Sequence, residues 1–419
     1  MKRHFSYNAH MTRLRSGAAL LAAGLLLGAI PVYVGQAHAG PAPVAGIVPL
    51  DAHLDIAADF DSAANPAASD GQGQFDLVKI KRGGLKAGAI AVFVAQEAET
   101  PAYLASARQA AQAKHLVITG LARRYPADFE QALTPADVGR ITAAGKFAIV
   151  ESVVNGGAFV DSLDDLNAWA ARGVRIFGFV HAGHNRLADS SRPALVRAEG
   201  PSHNGGLSPL GKQAVGRLND LGVLIDVSQL SDAAFADVLS LSRAPVIASH
   251  SDLRALVDNS RNLSDAQLDA LRANGGVIAI NAFSAYLRPR DPAFTAKLDA
   301  LKAEYGLTSD NSASLPLDKA KEYDVRYHEL RATEPKASVV DLVNAVDYAV
   351  KRIGVDHVAL SSDFNHGGGI TGWADEGETA NVTAELVKRG YSEADIAKLW
   401  SGNVLRIWGD AQKRARHGA

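Results

Sequence analysis

The chain has 419 residues, of which 47% are hydrophobic, with 43 basic against 45 acidic side chains and no cysteine. The near-neutral balance argues against nucleic acid or an anionic membrane as the main partner, because both attract concentrated positive charge. The absence of cysteine excludes disulfides and anchoring through a lipidated cysteine, and the hydrophobic content supports a large buried core.

The first 39 residues have the pattern of a secretory signal peptide. Basic residues between positions 2 and 15 precede an uncharged apolar stretch at 18–30, and small residues at Ala37 and Ala39 mark a cleavage point before Gly40. We therefore expect an exported protein, periplasmic or secreted, with one mature domain at 40–419 and no stable membrane span after cleavage. The alternative is an uncleaved anchor, but the apolar stretch is shorter than a spanning helix usually needs.

Eight segments along the mature chain have the character of strands, and helical patterns alternate with them. The candidate strands lie at 48–55, 89–94, 147–151, 176–181, 223–229, 246–250, 277–281 and 358–363. Most are near-continuous apolar runs, which are typical of parallel strands covered on both faces. Ser208, Ser264 and Ser392 are suitable N-caps for intervening helices. The alternation predicts βα units and a TIM (β/α)8 barrel.

One connection is far longer than the others. About seventy residues separate the last two candidate strands, where a few residues are usual. We expect a helix at 337–354 and a largely helical insertion at 286–335. Because the insertion follows the carboxyl end of a strand, it could cover the barrel mouth as a lid or specificity element. The alternative is a surface excursion or an oligomer contact.

Six candidate strands end in a polar residue that could bind a metal or work beside one. In chain order these residues are His53 with Asp55, Glu151, His181, Gln229, His250 and Asp363. Carboxyl ends of barrel strands converge at one face, where His, Asp and Glu can form a divalent-metal site for hydrolysis. Taken singly, each residue has an ordinary alternative as a satisfied structural histidine or a polar residue at the start of a loop.

Four side chains suggest specific chemistry. His53 and Asp55 are two residues apart, so on a strand both side chains point the same way and could grip one ion. Glu151, with two oxygens, could bridge two ions. Arg261, in the loop after His250, could pair bidentately with a substrate carboxylate.

These residues resemble those of the membrane (renal-type) dipeptidases, a branch of the metal-dependent amidohydrolase barrels, over nearly the whole mature chain. The LDAHLD sequence at 50–55 is similar to the family's opening Asp-x-His-x-Asp, and GLSPLG at 206–211 is similar to one of its helix starts. The most specific match is APVIASHS at 244–251. SDFN at 362–365 resembles the Asp-Phe-Asp of the last strand with one change, Asn365.

The resemblance implies an enzyme that cleaves dipeptides with two zinc ions, and it suggests a homodimer. The implied metal ligands are His53, Asp55, the bridging Glu151, and His250. The resemblance further implies that His181 contacts the substrate and stabilises the tetrahedral intermediate, that Arg261 holds the substrate carboxylate, and that Asp363 is the catalytic acid/base.

Gln229 departs from the family, which has a second-metal histidine at this position. An amide oxygen is a weaker zinc donor than imidazole, so the second metal could bind weakly, be another ion or be absent. His184 could compensate, although its ordinary interpretation is structural. The leading hypothesis is a zinc-dependent hydrolase acting on dipeptides or similar small amides. The alternatives are a barrel that binds or helps mature a peptide-like metabolite without turnover, and a hydrolase for a lactam, lactone or N-acyl amino acid.

Overall fold

The computed structural model describes residues 46–57, 59–63, 65–194, 199–307 and 315–416, so the signal peptide predicted at 1–39 lies outside the described residues. Nine strands occur in the described part of the chain. They are β1 (Leu50–Leu54), β2 (Ala87–Phe93), β3 (Phe129–Gln131), β4 (Phe147–Val154), β5 (Val174–Gly178), β6 (Leu224–Asp226), β7 (Ile247–Ser251), β8 (Val277–Asn281) and β9 (Val358–Ser361).

The helices alternate with these strands, as the sequence predicts. They are α1 (Leu77–Gly83), α2 (Pro101–Arg124), α3 (Pro135–Ala143), α4 (Leu163–Arg172), α5 (Pro209–Leu221), α6 (Asp232–Leu241), α7 (Asp265–Asn274), α8 (Ser284–Leu287), α9 (Pro292–Glu304), α10 (Leu317–Ala332), α11 (Val339–Ile353), α12 (Thr379–Lys388), α13 (Glu393–Ala397) and α14 (Asn403–Lys413). No helix in these described ranges combines the length and apolar character that crossing a bilayer requires.

Eight parallel strands form a nearly closed barrel, which confirms the TIM-barrel prediction. Their order is β1-β2-β4-β5-β6-β7-β8-β9, and β3, too short for the sequence pattern to reveal, pairs with β4. The seam between β9 and β1 is joined beyond the strand ends, where Asp363 N–H donates to the His53 carbonyl at 3.0 Å and Asp55 N–H donates to the Phe364 carbonyl at 2.9 Å. This seam lies at the barrel mouth.

Alternate strand residues divide the core in two. One set, including Leu50, Ala87 and Ala148, packs with Ile407 and Trp408 of α14, and the other packs against the surrounding helices. The inner set is rich in alanine, which leaves room at the centre of the barrel for the side chains of α14. The strand starts are thus closed by α14, and function is left to the other end.

The predicted helix starts are confirmed. Ser208, Ser264 and Ser392 each accept a hydrogen bond from a backbone N–H of the helix that follows. These bonds satisfy donors that have no partner inside the helix. The helical segment that Ser392 caps is divided by a π turn at Lys398–Gly402, between α13 and α14.

The long connection between β8 and β9 is helical, as expected. It holds α8 to α11, and residues 308–314 within it lie outside the description. Helices α9 and α10 pack on each other, with the rings of Tyr305 and Tyr323 at 5.3 Å and an ion pair of 2.6 Å between Arg326 and Glu304.

Candidate active site at the barrel mouth

The seam between β1 and β9 fixes the centre of the site. The Asp51 carboxylate accepts hydrogen bonds from the backbone N–H of His53 at 3.1 Å and of Ser362 at 2.9 Å, and from the Ser362 hydroxyl. Asp51 thus holds the backbone of His53 in place. As a result, the side chains of His53 and Asp363 emerge beside each other.

His53 and His250 stack at the mouth. Their ring centroids are 3.9 Å apart, and His53 Nε2 lies 3.5 Å from Asp363 Oδ1. Burial lowers the pKa of both histidines well below the usual value, so both rings are neutral near pH 7. Among the described atoms, His53 Nε2 has no hydrogen-bond partner and is buried. Its position leaves it available for a ligand.

His366 joins this cluster, although sequence reasoning missed it. Its ring stacks on His181 at 4.8 Å, and one ligand atom each from His53, Asp363 and His366 lie within 4.8 Å of one another. The signal was its position three residues after Asp363, in the same loop. These three side chains form the metal-capable group of the described residues.

Asp363 sits in a strained position on the loop after β9. Its φ of 56° is left-handed, a conformation that non-glycine residues rarely adopt, and its Oδ2 accepts a hydrogen bond of 3.3 Å from the Asn281 amide. Burial raises the pKa of Asp363, although the positive charges of Arg261 and Arg192 act against the rise. A carboxyl of this kind can carry a proton closer to neutral pH than an exposed one.

Gln229 lies in the site, where it links Arg192 to His250 through hydrogen bonds. Its Oε1 accepts from Arg192 Nη2 at 2.7 Å, and its Nε2 lies 2.9 Å from His250 Nε2. Because a guanidinium only donates, the Gln229 amide must donate to His250 Nε2. His250 Nδ1–H then donates to Ser249 Oγ at 2.8 Å, and Ser249 donates to Asp226 at 2.6 Å. The lone pair that His250 would offer a metal is already used.

His181 faces the same space from the β5 end. Its Nε2 accepts a hydrogen bond of 3.3 Å from Arg192, and burial, followed by the charge of Arg192, lowers its pKa well below the usual value. The neutral ring therefore carries its proton on Nδ1. His184 is structural, because Ser190 N–H donates to its Nδ1 at 3.0 Å and its Nε2 donates to the Gly200 carbonyl at 2.9 Å.

Two arginines, the buried Arg261 and the half-buried Arg192, give the mouth an anion-binding character. Arg261 is 3% exposed and donates through Nη2 to the His250 carbonyl at 2.9 Å, while its guanidinium lies 5.3 Å from the Tyr286 ring centroid. No described atom accepts from its Nε and Nη1, or from Arg192 Nε. Buried unsatisfied donors are costly, so their presence indicates a ligand with several acceptor oxygens. Sequence reasoning missed Arg192, which lies in an irregular loop with no pattern to mark it.

Asp55 reaches the mouth, but an ammonium group holds it. Lys114 Nζ on α2 lies 2.6 Å from Asp55 Oδ1 and also donates to the Ile56 carbonyl. The other carboxylate oxygen is 3.6 Å from His366 Nδ1. Lys114 looks like an ordinary helix residue in the sequence, and nothing there predicts this contact.

Glu151 is not brought to the mouth, which corrects its predicted position as a bridging ligand. It lies within β4, which continues to Val154, and it pairs in register with Val174 at the start of β5. Its side chain contacts His115 Nδ1 at 2.6 Å and the Gln131 amide at 3.3 Å. Both partners lie outside the barrel, on α2 and β3, and burial raises the pKa of this carboxyl.

The strand end itself carries an amide in place of a carboxylate. Asn155, fully buried with a φ of 60°, follows β4 and donates to the Val94 carbonyl at 2.8 Å. Its Oδ1 accepts from the Asn185 amide at 3.0 Å. A neutral amide engaged on both sides offers nothing to bridge two cations.

The donor set does not fit the two zinc ions that the resemblance implies. Glu151 lies outside the barrel, Asp55 is paired with Lys114, and the His250 lone pair is taken by Gln229. What remains is the group of His53, Asp363 and His366, whose two imidazoles and one carboxylate could hold a single ion with open positions.

The fold has known counterparts among solved structures. A protein described as the probable dipeptidase PvdM, from Pseudomonas aeruginosa, is 47% identical with a TM-score of 0.83, over 88% of this chain and 96% of that one. A metallopeptidase from Rhodobacter sphaeroides, liganded with a phosphinate mimic of the dipeptide L-Ala-D-Ala, shares the fold at 23% identity and a TM-score of 0.67, over 87% of this chain and 99% of that one.

Two curated proteins named as dipeptidases are also similar to this chain in sequence. Dipeptidase tcpJ from Claviceps purpurea is 31% identical over 287 residues, or 68% of this chain and 55% of that protein. Dipeptidase aclJ from Aspergillus oryzae is 32% identical over 245 residues, or 58% of this chain and 47% of that protein. The chain thus spans about half the length of these relatives. The model of the membrane dipeptidase family, peptidase family M19, matches residues 44–418, and the chain therefore belongs to that family.

Proposed function

We propose that this chain is an exported hydrolase that acts on dipeptides or similar small amides with a free carboxylate. One observation carries the proposal: the buried Arg261 guanidinium presents Nε and Nη1 without a described partner at the mouth of a dipeptidase-family barrel. A substrate carboxylate would accept from one of these donors together with the remaining Nη2–H, because each such pair lies on one edge of the guanidinium. The family supports a small peptide-like substrate, and the proposal extends it to hydrolysis by this chain.

The side chains around Arg261 suit the reaction. Arg192 adds a second positive charge, so the carboxylate end of the substrate would lie between two guanidinium groups. His181, with its proton on Nδ1, could donate to the oxygen of the scissile carbonyl. Asp363 could take a proton from the attacking water and pass it to the leaving amine. A single ion held by His53, Asp363 and His366 would supply Lewis acidity and a more acidic bound water.

A dipeptide panel tests this proposal. The purified protein, with and without added zinc, is given L,L- and L,D-dipeptides such as L-Ala-D-Ala, together with lactams, lactones and N-acyl amino acids. We expect dipeptide hydrolysis, and we expect Asp363→Asn to lower kcat by about 100-fold or more with unchanged thermal stability. Asp410→Asn, which alters an exposed ion pair with Lys413, is the control. Full activity in Asp363→Asn would remove that residue from the reaction.

Export is part of the same proposal. The basic start, the apolar stretch at 18–30 and the small residues before Gly40 support it. Protein recovered from a periplasmic fraction is expected to begin at Gly40 by N-terminal sequencing. An intact N-terminus in that fraction would contradict cleavage.

A specific observation favours a second candidate, a barrel that binds or helps mature a peptide-like metabolite without hydrolysing it. Lys114 on Asp55 and Gln229 on His250 block two positions at which a hydrolytic metal site would need free donors. Saturable binding of a dipeptide, measured by calorimetry, with no turnover at any zinc concentration would favour this candidate over hydrolysis.

A further inference from the structure

Consecutive residues of one helix hold both carboxylates that the sequence predicts for the first metal. Lys114 and His115 lie in the interior of α2. Lys114 Nζ is 2.6 Å from Asp55 Oδ1, and His115 Nδ1 is 2.6 Å from Glu151 Oε1. Neighbouring residues on a helix point about 100° apart, so α2 reaches the mouth with one side chain and the outer face of β4 with the other.

Both contacts are built into the protein interior. Lys114 is 7% exposed and His115 is 8% exposed, and the His115 ring packs edge-on against Trp169 with centroids 5.8 Å apart. Lys114 makes a second bond, to the Ile56 carbonyl, which directs its ammonium group toward Asp55. A buried lysine is uncommon, and one paired with a carboxylate at this distance is a structural element rather than a surface encounter.

We infer that the Lys114 ammonium replaces a divalent cation at Asp55, so that Asp55 does not bind metal in this protein. A metal ion at Asp55 would have to lie within a few ångströms of a fixed positive charge in a buried, low-dielectric environment, where like charges repel strongly. The ammonium already neutralises the carboxylate. Arg192 and Arg261 then remain to attract an anionic ligand.

The inference does not require the proposed hydrolysis, because it concerns which cation Asp55 binds. A single ion at His53, Asp363 and His366 is compatible with it. Zinc stoichiometry therefore tests it separately from activity: a chain that hydrolyses dipeptides with no ion at Asp55 would support both statements, and an inactive chain with zinc on Asp55 would contradict both.

The experiment measures zinc binding by calorimetry and by metal analysis after dialysis of the full mature chain. Wild type is expected to bind at most one zinc ion, and Asp55→Asn is expected to leave its zinc affinity unchanged within about threefold. Lys114→Met is expected to bind one more ion, or to bind zinc at least tenfold more tightly, and Lys114→Met with Asp55→Asn to lose that gain. Lys114→Arg, which keeps the charge, is expected to behave as wild type, and Lys212→Met alters an exposed lysine as the control.

Two results would overturn the inference. One is wild-type zinc binding that falls tenfold or more in Asp55→Asn. The other is a folded Lys114→Met variant, judged by circular dichroism, that binds zinc no better than wild type. If Lys114→Met does not fold, the Asp55→Asn comparison in the wild-type background still decides the question.

Discussion

We expect Arg261 to contribute more to ligand binding than the other residues of the mouth. Its Nη2 is anchored to the His250 carbonyl, and the ring of Tyr286 lies 5.3 Å from its guanidinium carbon, so the group is fixed before a ligand arrives. Rigid donors lose little conformational entropy when they bind, and a planar guanidinium matches a carboxylate with two parallel hydrogen bonds. The arginine thus provides both charge and geometry.

Arg261→Lys is expected to raise the KM or Kd for dipeptides by about 10- to 100-fold, because lysine keeps the charge but loses the two-pronged contact. Dipeptide amides, which lack the carboxylate, should bind equally well to both proteins. Kinetics or calorimetry with the two ligand types measures the difference. Arg254→Lys is the matched control, since Arg254 is paired with Asp232 on the surface. An equal loss for both ligand types would show that Arg261 supports the fold rather than the carboxylate.

The sequence predicted which residues lie at the barrel mouth in most cases, but it did not predict the hydrogen bonds and ion pairs between them. His53, His181, His250, Gln229, Arg261 and Asp363 lie together as the strand ends predict. Glu151 does not lie with them. The sequence pattern places the end of the strand at Glu151, but β4 continues through Ser152 to Val154, so Glu151 falls on an outward-facing position within the strand. Lys114 and Arg192 reach the mouth through long side chains from segments that are distant in the sequence. Local sequence patterns do not predict such contacts.

At the scale of elements, the β1–β9 seam carries a buried pair of carboxyls. Glu376 and Asp51 are fully buried and interact, and the Glu376 Oε2 also accepts from the Thr379 hydroxyl at 2.8 Å. Burial, followed by the charge of Asp51, raises the pKa of Glu376 well above its usual range. Burial also raises the pKa of Asp51 to about 6, although hydrogen bonds from Ser362 oppose the rise.

These pKa shifts set the sign of a pH effect on stability. A folded-state pKa above the unfolded one means that the folded protein binds more protons, so the free energy of unfolding falls as pH rises above the ordinary carboxyl range. Each such group contributes about 1.4 kcal/mol per pH unit. For Asp51 the window runs from the ordinary pKa of 3.8 to about 6, and for Glu376 it begins at the ordinary pKa of 4.5 and extends upward.

Glu376→Gln is expected to flatten this dependence, because a neutral amide keeps the shape and the bonds but cannot lose a proton. Between pH 5 and pH 7 the wild-type free energy of unfolding should fall more steeply than that of the variant, by about 1 kcal/mol per pH unit. Urea denaturation at both pH values measures the two slopes. Glu385→Gln is the control, since bonds from Lys388 and Arg389 help to lower the pKa of Glu385. Parallel slopes for wild type and Glu376→Gln would refute this account.

Fold prediction succeeded at the scale of the whole molecule because many weak signals agree. Eight apolar runs, separated by capped helices, have few arrangements other than a closed parallel barrel. The strand β3 and the π turn at Lys398–Gly402 were missed, since three residues and a one-turn irregularity leave no periodic signal. The helical character of the insertion was predicted, but its role was not. Hydrophobic periodicity indicates a helix, but it does not identify the residues against which that helix packs.

The insertion has a narrow base on the barrel. Arg290 Nε and Glu334 Oε1 form an ion pair of 2.7 Å across it, and the Ala337 N–H donates to Ser284 Oγ at 2.7 Å. Since α9 and α10 pack on each other above this base, the barrel should not depend on them. Tyr286, which contacts both arginines of the mouth, lies in α8 and would remain after removal of α9 and α10.

Replacing residues 292–332 with a short Gly-Ser linker is therefore expected to leave the barrel folded, with a Tm within about 5 °C of the parent chain. If the insertion is a lid or specificity element, the KM for dipeptides changes while the molecular mass in solution does not. If it is an oligomer contact, light scattering shows a smaller assembly with unchanged kinetics. Scanning calorimetry checks the first expectation, and loss of cooperative unfolding in the shortened chain would show that the helical pair is part of the barrel core.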